Sequence, residues 1–83
     1  MVDPFEILKQ SIHSIQEQQG YPNLDVLPDS HLVHDLGFAS LDIAQLLAMM
    51  EGALGLDPFA RGATLDQVTT VKEIADLYRQ QVA

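Results

Sequence analysis

The sequence predicts an all-α bundle of three principal helices and one short helix, and three observations carry that reading. Apolar residues recur at spacings of three and four, helix-capping signals bracket those segments, and strict apolar–polar alternation nowhere lasts long enough to make a strand. Eighty-three residues can bury only one core, so residues 1–83 read as a single domain.

The first helix starts where Asp3 can act as an N-cap, Pro4 suits the first helical position and Glu6 lies three residues beyond the cap. Phe5, Leu8, Ile12 and Ile15 form its core stripe and leave Lys9, Gln10, Gln16 and Glu17 for water, until Gly20 offers a left-handed stop before Tyr21 and Pro22. A loop over residues 20–35 follows, punctuated by Pro22 and Pro28. It is long for a compact domain, and Leu24, Leu27 and Leu32 are its expected anchors.

The second helix is expected to begin near Ser40, whose hydroxyl fits an N-cap ahead of the acidic first turn in "SLD". It should run to about Leu54 before Gly55, with Gly52 weakening the last turn. Ile43, Leu46, Leu47, Met50 and Leu54 make a core stripe. Leu41, Ala44 and Ala48 make a second line roughly opposite, bordered by Asp42, Gln45 and Glu51. That small apolar line rimmed by carboxylates suits transient docking on partner proteins, although a helix buried all round or a plain solvated alanine face would also give it. "TLDQV" from Thr64 and "TVKEIADLYRQQ" from Thr70 each place Gln or Glu three residues after threonine, the capping-box spacing, and so predict the short helix and the last principal one. Phe59, in the intervening "DPFARGATL", is an expected core anchor; Met49 and Met50 are soft residues that either pack in the core, as expected of Met50, or part for a guest.

Four Lys plus Arg against twelve Asp plus Glu give a net charge of −8, which excludes a phosphate-backbone partner: no nucleic acid is expected. Cysteine is absent, so disulfides, a thiolate nucleophile and cysteine-based zinc sites are excluded. No basic-then-apolar leader or membrane-length apolar run occurs, and a cytoplasmic domain with no membrane association is expected. His31 and His34, even with His13, lack the companions of a metal site, so no metal is expected. The run "GFASL" is not the G-x-S-x-G of a hydrolase, and the chain does not read as an enzyme.

Ser40 stands out within "HDLGFASLDIAQLLAMM". Gly37 lets the chain turn tightly after Asp35 and Leu36, and the serine then sits at a helix tip beside the docking line, within reach of a modifying enzyme. "DLGFASLDIAQLL" resembles the modification motif of acyl carrier proteins, and the likeness extends through the first helix, the proline-containing loop, "SHLVHDLG" and "VTTVKEIADLY".

The resemblance implies an acyl-carrier-like bundle with Ser40 as the covalent attachment point of 4'-phosphopantetheine, joined through a phosphodiester. Asp35, Leu36, Gly37, Leu41 and Asp42 match the surrounding recognition motif. The second helix, with Ala44, Gln45 and Ala48, would then face the phosphopantetheinyl transferase, an acyl- or aminoacyl-loading enzyme and a downstream synthase or transferase, the carrier itself being a monomer. Such a protein needs no catalytic groups, since the thiol belongs to the cofactor. Two departures matter. Ala39 replaces the family's usual Asp before the serine, and Gln45, Gly52 and Ala53 thin the acidic face. "LGF" is more similar to polyketide carriers than the "LGG" of peptidyl carriers; an aminoacyl or aryl carrier, and an unmodified interaction module docking through the second helix, stay open.

Overall fold

The computed structural model describes residues 3–55 and 70–82. The expected short helix from Thr64 and the expected anchor Phe59 lie outside the described residues.

Helix α1 (Pro4–Gln19) starts as the residues dictate: the Asp3 carboxylate accepts from the Phe5 N–H at 3.3 Å, and Pro4 occupies the first position, where its missing N–H costs nothing. It ends at Gly20, whose φ of +72° is the left-handed conformation that side chains resist. Leu8, Ile12 and Ile15 are wholly buried and Phe5 packs partly against them. Gln16 departs from expectation. It is buried, its Oε1 within hydrogen-bond distance of His13 Nδ1 at 2.8 Å and its Nε2 donating to the Leu24 carbonyl at 3.4 Å, so it ties the returning loop to α1.

The loop is anchored by Val26 and Leu32, both buried. Leu24 and Leu27 are instead exposed, at 42% and 55%, which corrects two of the three expected anchors. Both lie in tight turns at the surface: Leu24 N–H donates to the Pro22 carbonyl at 2.9 Å, while the Leu27 N–H donates to the Ser30 hydroxyl and the Leu27 carbonyl accepts from the Ser30 N–H, each at 3.0 Å. Backbone bonds then fasten this loop to the last helix: Val71 N–H donates to the Ser30 carbonyl at 3.0 Å and Lys72 N–H to that of Pro28 at 2.8 Å, beside an isolated antiparallel bridge between His31 and Thr70.

Helix α2 (Ser40–Leu54) buries Leu46 and Met50 completely, with Ile43, Leu47 and Leu54 packed at the margin of the core. Helix α3 (Val71–Val82) starts on the expected capping box: Glu73 N–H donates to Thr70 Oγ1, and Thr70 N–H donates to Glu73 Oε1, each at 3.2 Å. Its buried residues Val71, Ile74, Ala75 and Tyr78 fall on one stripe. Helix α1 packs against both α2 and α3, and Arg79 near the end of α3 pairs with Asp3 at 2.9 Å. The described residues contain no strand, and the bundle is all-helical as the periodicity implies.

Candidate functional site

The approach to α2 is a tight turn built by its own sequence. Asp35 and Leu36 N–H groups both donate to the His31 carbonyl, at 2.9 and 3.0 Å, and the Asp35 carboxylate accepts from the His31 N–H at 2.7 Å, closing the turn on itself. His31 Nδ1 accepts from the Val33 and His34 N–H groups at 3.2 and 3.1 Å, and the two histidine rings lie 4.3 Å apart. These histidines shape a turn; among the described residues no three metal-binding side chains converge. Gly37 ends the turn at φ +72°, and Phe38 then drops into the core at 2% exposure.

Burying Phe38 sets where α2 begins. Ala39, with φ −85° and ψ 169°, is the N-cap of α2, and Ser40 is the first helical residue. The expectation that Ser40 caps the helix is therefore corrected by one position. The physical consequence is large: the Ser40 hydroxyl is not committed to a backbone N–H, no described residue hydrogen-bonds it, and the residue is exposed. An exposed, unheld hydroxyl can be esterified without breaking anything in the fold.

Ala39 has no side-chain oxygen, so only half of a capping box forms here. Asp42, at the third helical position, reaches back and accepts from the Ala39 N–H at 3.0 Å. The same oxygen, Oδ2, accepts from the Tyr21 hydroxyl at 2.7 Å, and the Tyr21 ring leans on Phe38 with centroids 6.0 Å apart. The Asp42 carboxylate lifts the Tyr21 phenol above its ordinary range, chiefly by accepting its hydrogen bond.

The structure divides the eight positions expected around Ser40. Asp35, Gly37, Leu41, Ala44 and Ala48 are exposed, Leu41 at 80%, and Gln45 is half-buried with its Nε2 donating to Gln18 Oε1 at 3.0 Å. Leu36 and Asp42 are buried, at 4% and 5%, and so do not present their side chains as part of one outward face. Leu36 is core and Asp42 is an internal acceptor. Tyr21 was missed altogether. A signal existed: Asp42 shares a helix stripe with Leu46 and Met50, and a carboxylate on a core stripe demands a donor from elsewhere in the fold.

Met50 is wholly buried, whereas Met49 is half-buried and lines a shallow groove of about 450 Å³ between α1 and α2 with Ile7, Gln10, Ser11, Ser14 and Ala53.

The site has the chemistry to hold a phosphodiester. The first-turn N–H groups of α2 have no acceptor within the helix and the positive end of the helix dipole lies there, so an anion on Ser40 meets donors.

Residues 12–78 match the family described as a phosphopantetheine attachment site. The chain belongs to the acyl carrier protein family. It is 34% identical to MacpD, an acyl carrier protein from Pseudomonas fluorescens involved in mupirocin biosynthesis, over 95% of this chain and 70% of that one, and the two structures superpose with a TM-score of 0.85. It is also 29% identical to an acyl carrier protein of Cyanidioschyzon merolae (strain NIES-3377 / 10D), over 90% of this chain and 80% of the relative. Identity to an acyl carrier protein of Cyanidium caldarium is 43%, over 61% of this chain and 59% of the relative. This carrier therefore bears covalent 4'-phosphopantetheine, works with a phosphopantetheinyl transferase and with biosynthetic enzymes, and is not itself a catalyst.

Proposed function

We propose that 4'-phosphopantetheine is attached to Ser40 and that the carrier passes thioester-linked acyl intermediates between enzymes of a polyketide or related secondary metabolic pathway. The observation that carries the attachment point is the hydroxyl at the first position of α2, exposed and, because Ala39 holds the N-cap position, not engaged in capping. Supporting the pathway class are the "LGF" run ahead of the serine and the likeness to a carrier whose described role is in mupirocin biosynthesis.

The attached group supplies the thiol on which the acyl chain rides. Everything else falls to the chain's own residues. Phe38 and Gly37 aim the start of α2 outward, its first-turn N–H groups stabilise the phosphodiester anion, and Leu41, Ala44 and Ala48 offer an uncharged strip for docking. The net charge of −8 accelerates encounter with basic partner surfaces, while the small apolar strip keeps release fast enough to serve several enzymes as a monomer.

Co-expression with a phosphopantetheinyl transferase and intact-mass measurement of wild type and Ser40→Ala tests the attachment point. A single phosphopantetheine-sized addition on wild type and none on the variant is expected. An addition that survives Ser40→Ala refutes the assignment. Loading assays with a polyketide-type acyltransferase and with an adenylating ligase then separate acyl from aminoacyl cargo.

A further inference from the structure

We infer that Tyr21 is a positioning residue for the modification of Ser40, acting through Asp42, which holds the Ala39 N–H at the start of a helix that has no capping side chain. The inference rests on Ser40 being the attachment point.

A helix that begins without a capping side chain frays in its first turn, and a hydroxyl at the first helical position frays with it. In this chain the N-cap is Ala39, which cannot accept a hydrogen bond through its side chain. A three-group relay fastens this start in another way. The Ala39 N–H and the Tyr21 O–H both donate to Asp42 Oδ2, at 3.0 and 2.7 Å. Asp42 alone could swing about its side chain; with Tyr21 as a second donor, its carboxylate is held at the base of the first turn, buried to 5% exposure.

Tyr21 in turn is tied to both neighbouring elements. Its own N–H donates to the Gln16 carbonyl at 2.9 Å as α1 ends, and its ring packs against Phe38, two residues before Ser40. The end of α1 is thereby coupled to the start of α2 across 21 residues of sequence, with Ser40 two positions before the shared acceptor. Replacing Tyr21 by phenylalanine deletes the one oxygen that bonds Asp42 and leaves the ring on Phe38. Tyr21 touches no reacting atom; its effect is on how often the Ser40 hydroxyl occupies its outward position.

The test compares wild type, Tyr21→Phe, Ala39→Asn and the double variant, each as the full unmodified chain, with a phosphopantetheinyl transferase and coenzyme A. Two quantities are followed: transfer kinetics, and amide hydrogen exchange at Ala39 and Ser40. Tyr21→Phe should lower kcat by about two- to tenfold, the span of one net hydrogen bond, with KM changed less than about twofold, and should speed Ala39 exchange by a similar factor. Asparagine at position 39 restores a capping acceptor without adding charge or a second hydroxyl. In that background the Tyr21→Phe effect should shrink to near unity.

Unchanged kcat and exchange in Tyr21→Phe overturn the inference while leaving the attachment point intact. A kcat loss that Ala39→Asn does not repair overturns it too, since Tyr21 would then act by touching the transferase. No addition to Ser40 in wild type overturns the attachment reading and this inference together.

Discussion

Replacing Leu46 by alanine isolates how α2 is rotated about its axis, on which the site's exposure depends. Leu46 has no exposed surface and sits with Met50 on the buried face. Truncation removes about three methylene equivalents at roughly 0.8 kcal/mol each, and the cavity left behind adds to that, giving about 3–4 kcal/mol within a general range of ~2–5 kcal/mol. A domain of 83 residues is stable by only about 4–12 kcal/mol, so the loss is a large share of the total. At about 4–8 °C per kcal/mol, the melting midpoint should fall by roughly 12–30 °C. The matched control is Leu41→Glu, five positions earlier on the same helix and 80% exposed. Its stability should stay within about 0.5 kcal/mol of wild type, while modification or partner turnover falls. Urea and thermal unfolding followed by far-ultraviolet circular dichroism measures all three proteins. Equal midpoints for wild type and Leu46→Ala, or a large loss in Leu41→Glu, would show that the wrong face had been assigned to the core.

Two further outcomes are expected from the turn and from the tyrosine relay. Gly37→Ala meets no neighbouring atom within 4 Å, so its cost is that of the left-handed backbone alone, about 1–2 kcal/mol by urea unfolding; a neutral result would mean that the turn readily relaxes. Because Asp42 raises the Tyr21 ionisation, the stability that this bond contributes is complete below the ordinary tyrosine range and disappears as pH climbs through the raised value. Absorbance titration of the phenols should show Tyr21 ionising late in wild type and earlier in Asp42→Asn, and identical curves would refute the coupling.

The local elements were legible in the residues themselves. Asp3 with Pro4, Thr70 with Glu73, and Gly20 each specify a helix end through bonds made within a few positions, and the apolar spacing of α1 and α3 identifies their buried faces. The motif around Ser40 was legible for the same reason: a glycine turn leading into a helix start is short-range chemistry. The features that the residues did not reveal depend on distant partners. Gln16 is buried because the loop returns over it, Val26 is the anchor in place of Leu24 and Leu27 because tight turns leave those two at the surface, and Asp42 turns inward because Tyr21 is waiting there. Most consequentially, tertiary packing decided that Ser40 does not cap its own helix: once Phe38 enters the core, Ala39 takes the capping position and Asp42 reaches back to its N–H, leaving the hydroxyl to solvent. Composition and periodicity determined a small acidic helical domain, and the likeness of the motif around Ser40 pointed to a carrier; only the meeting of α1, the loop and α2 determined which hydroxyl is left to solvent.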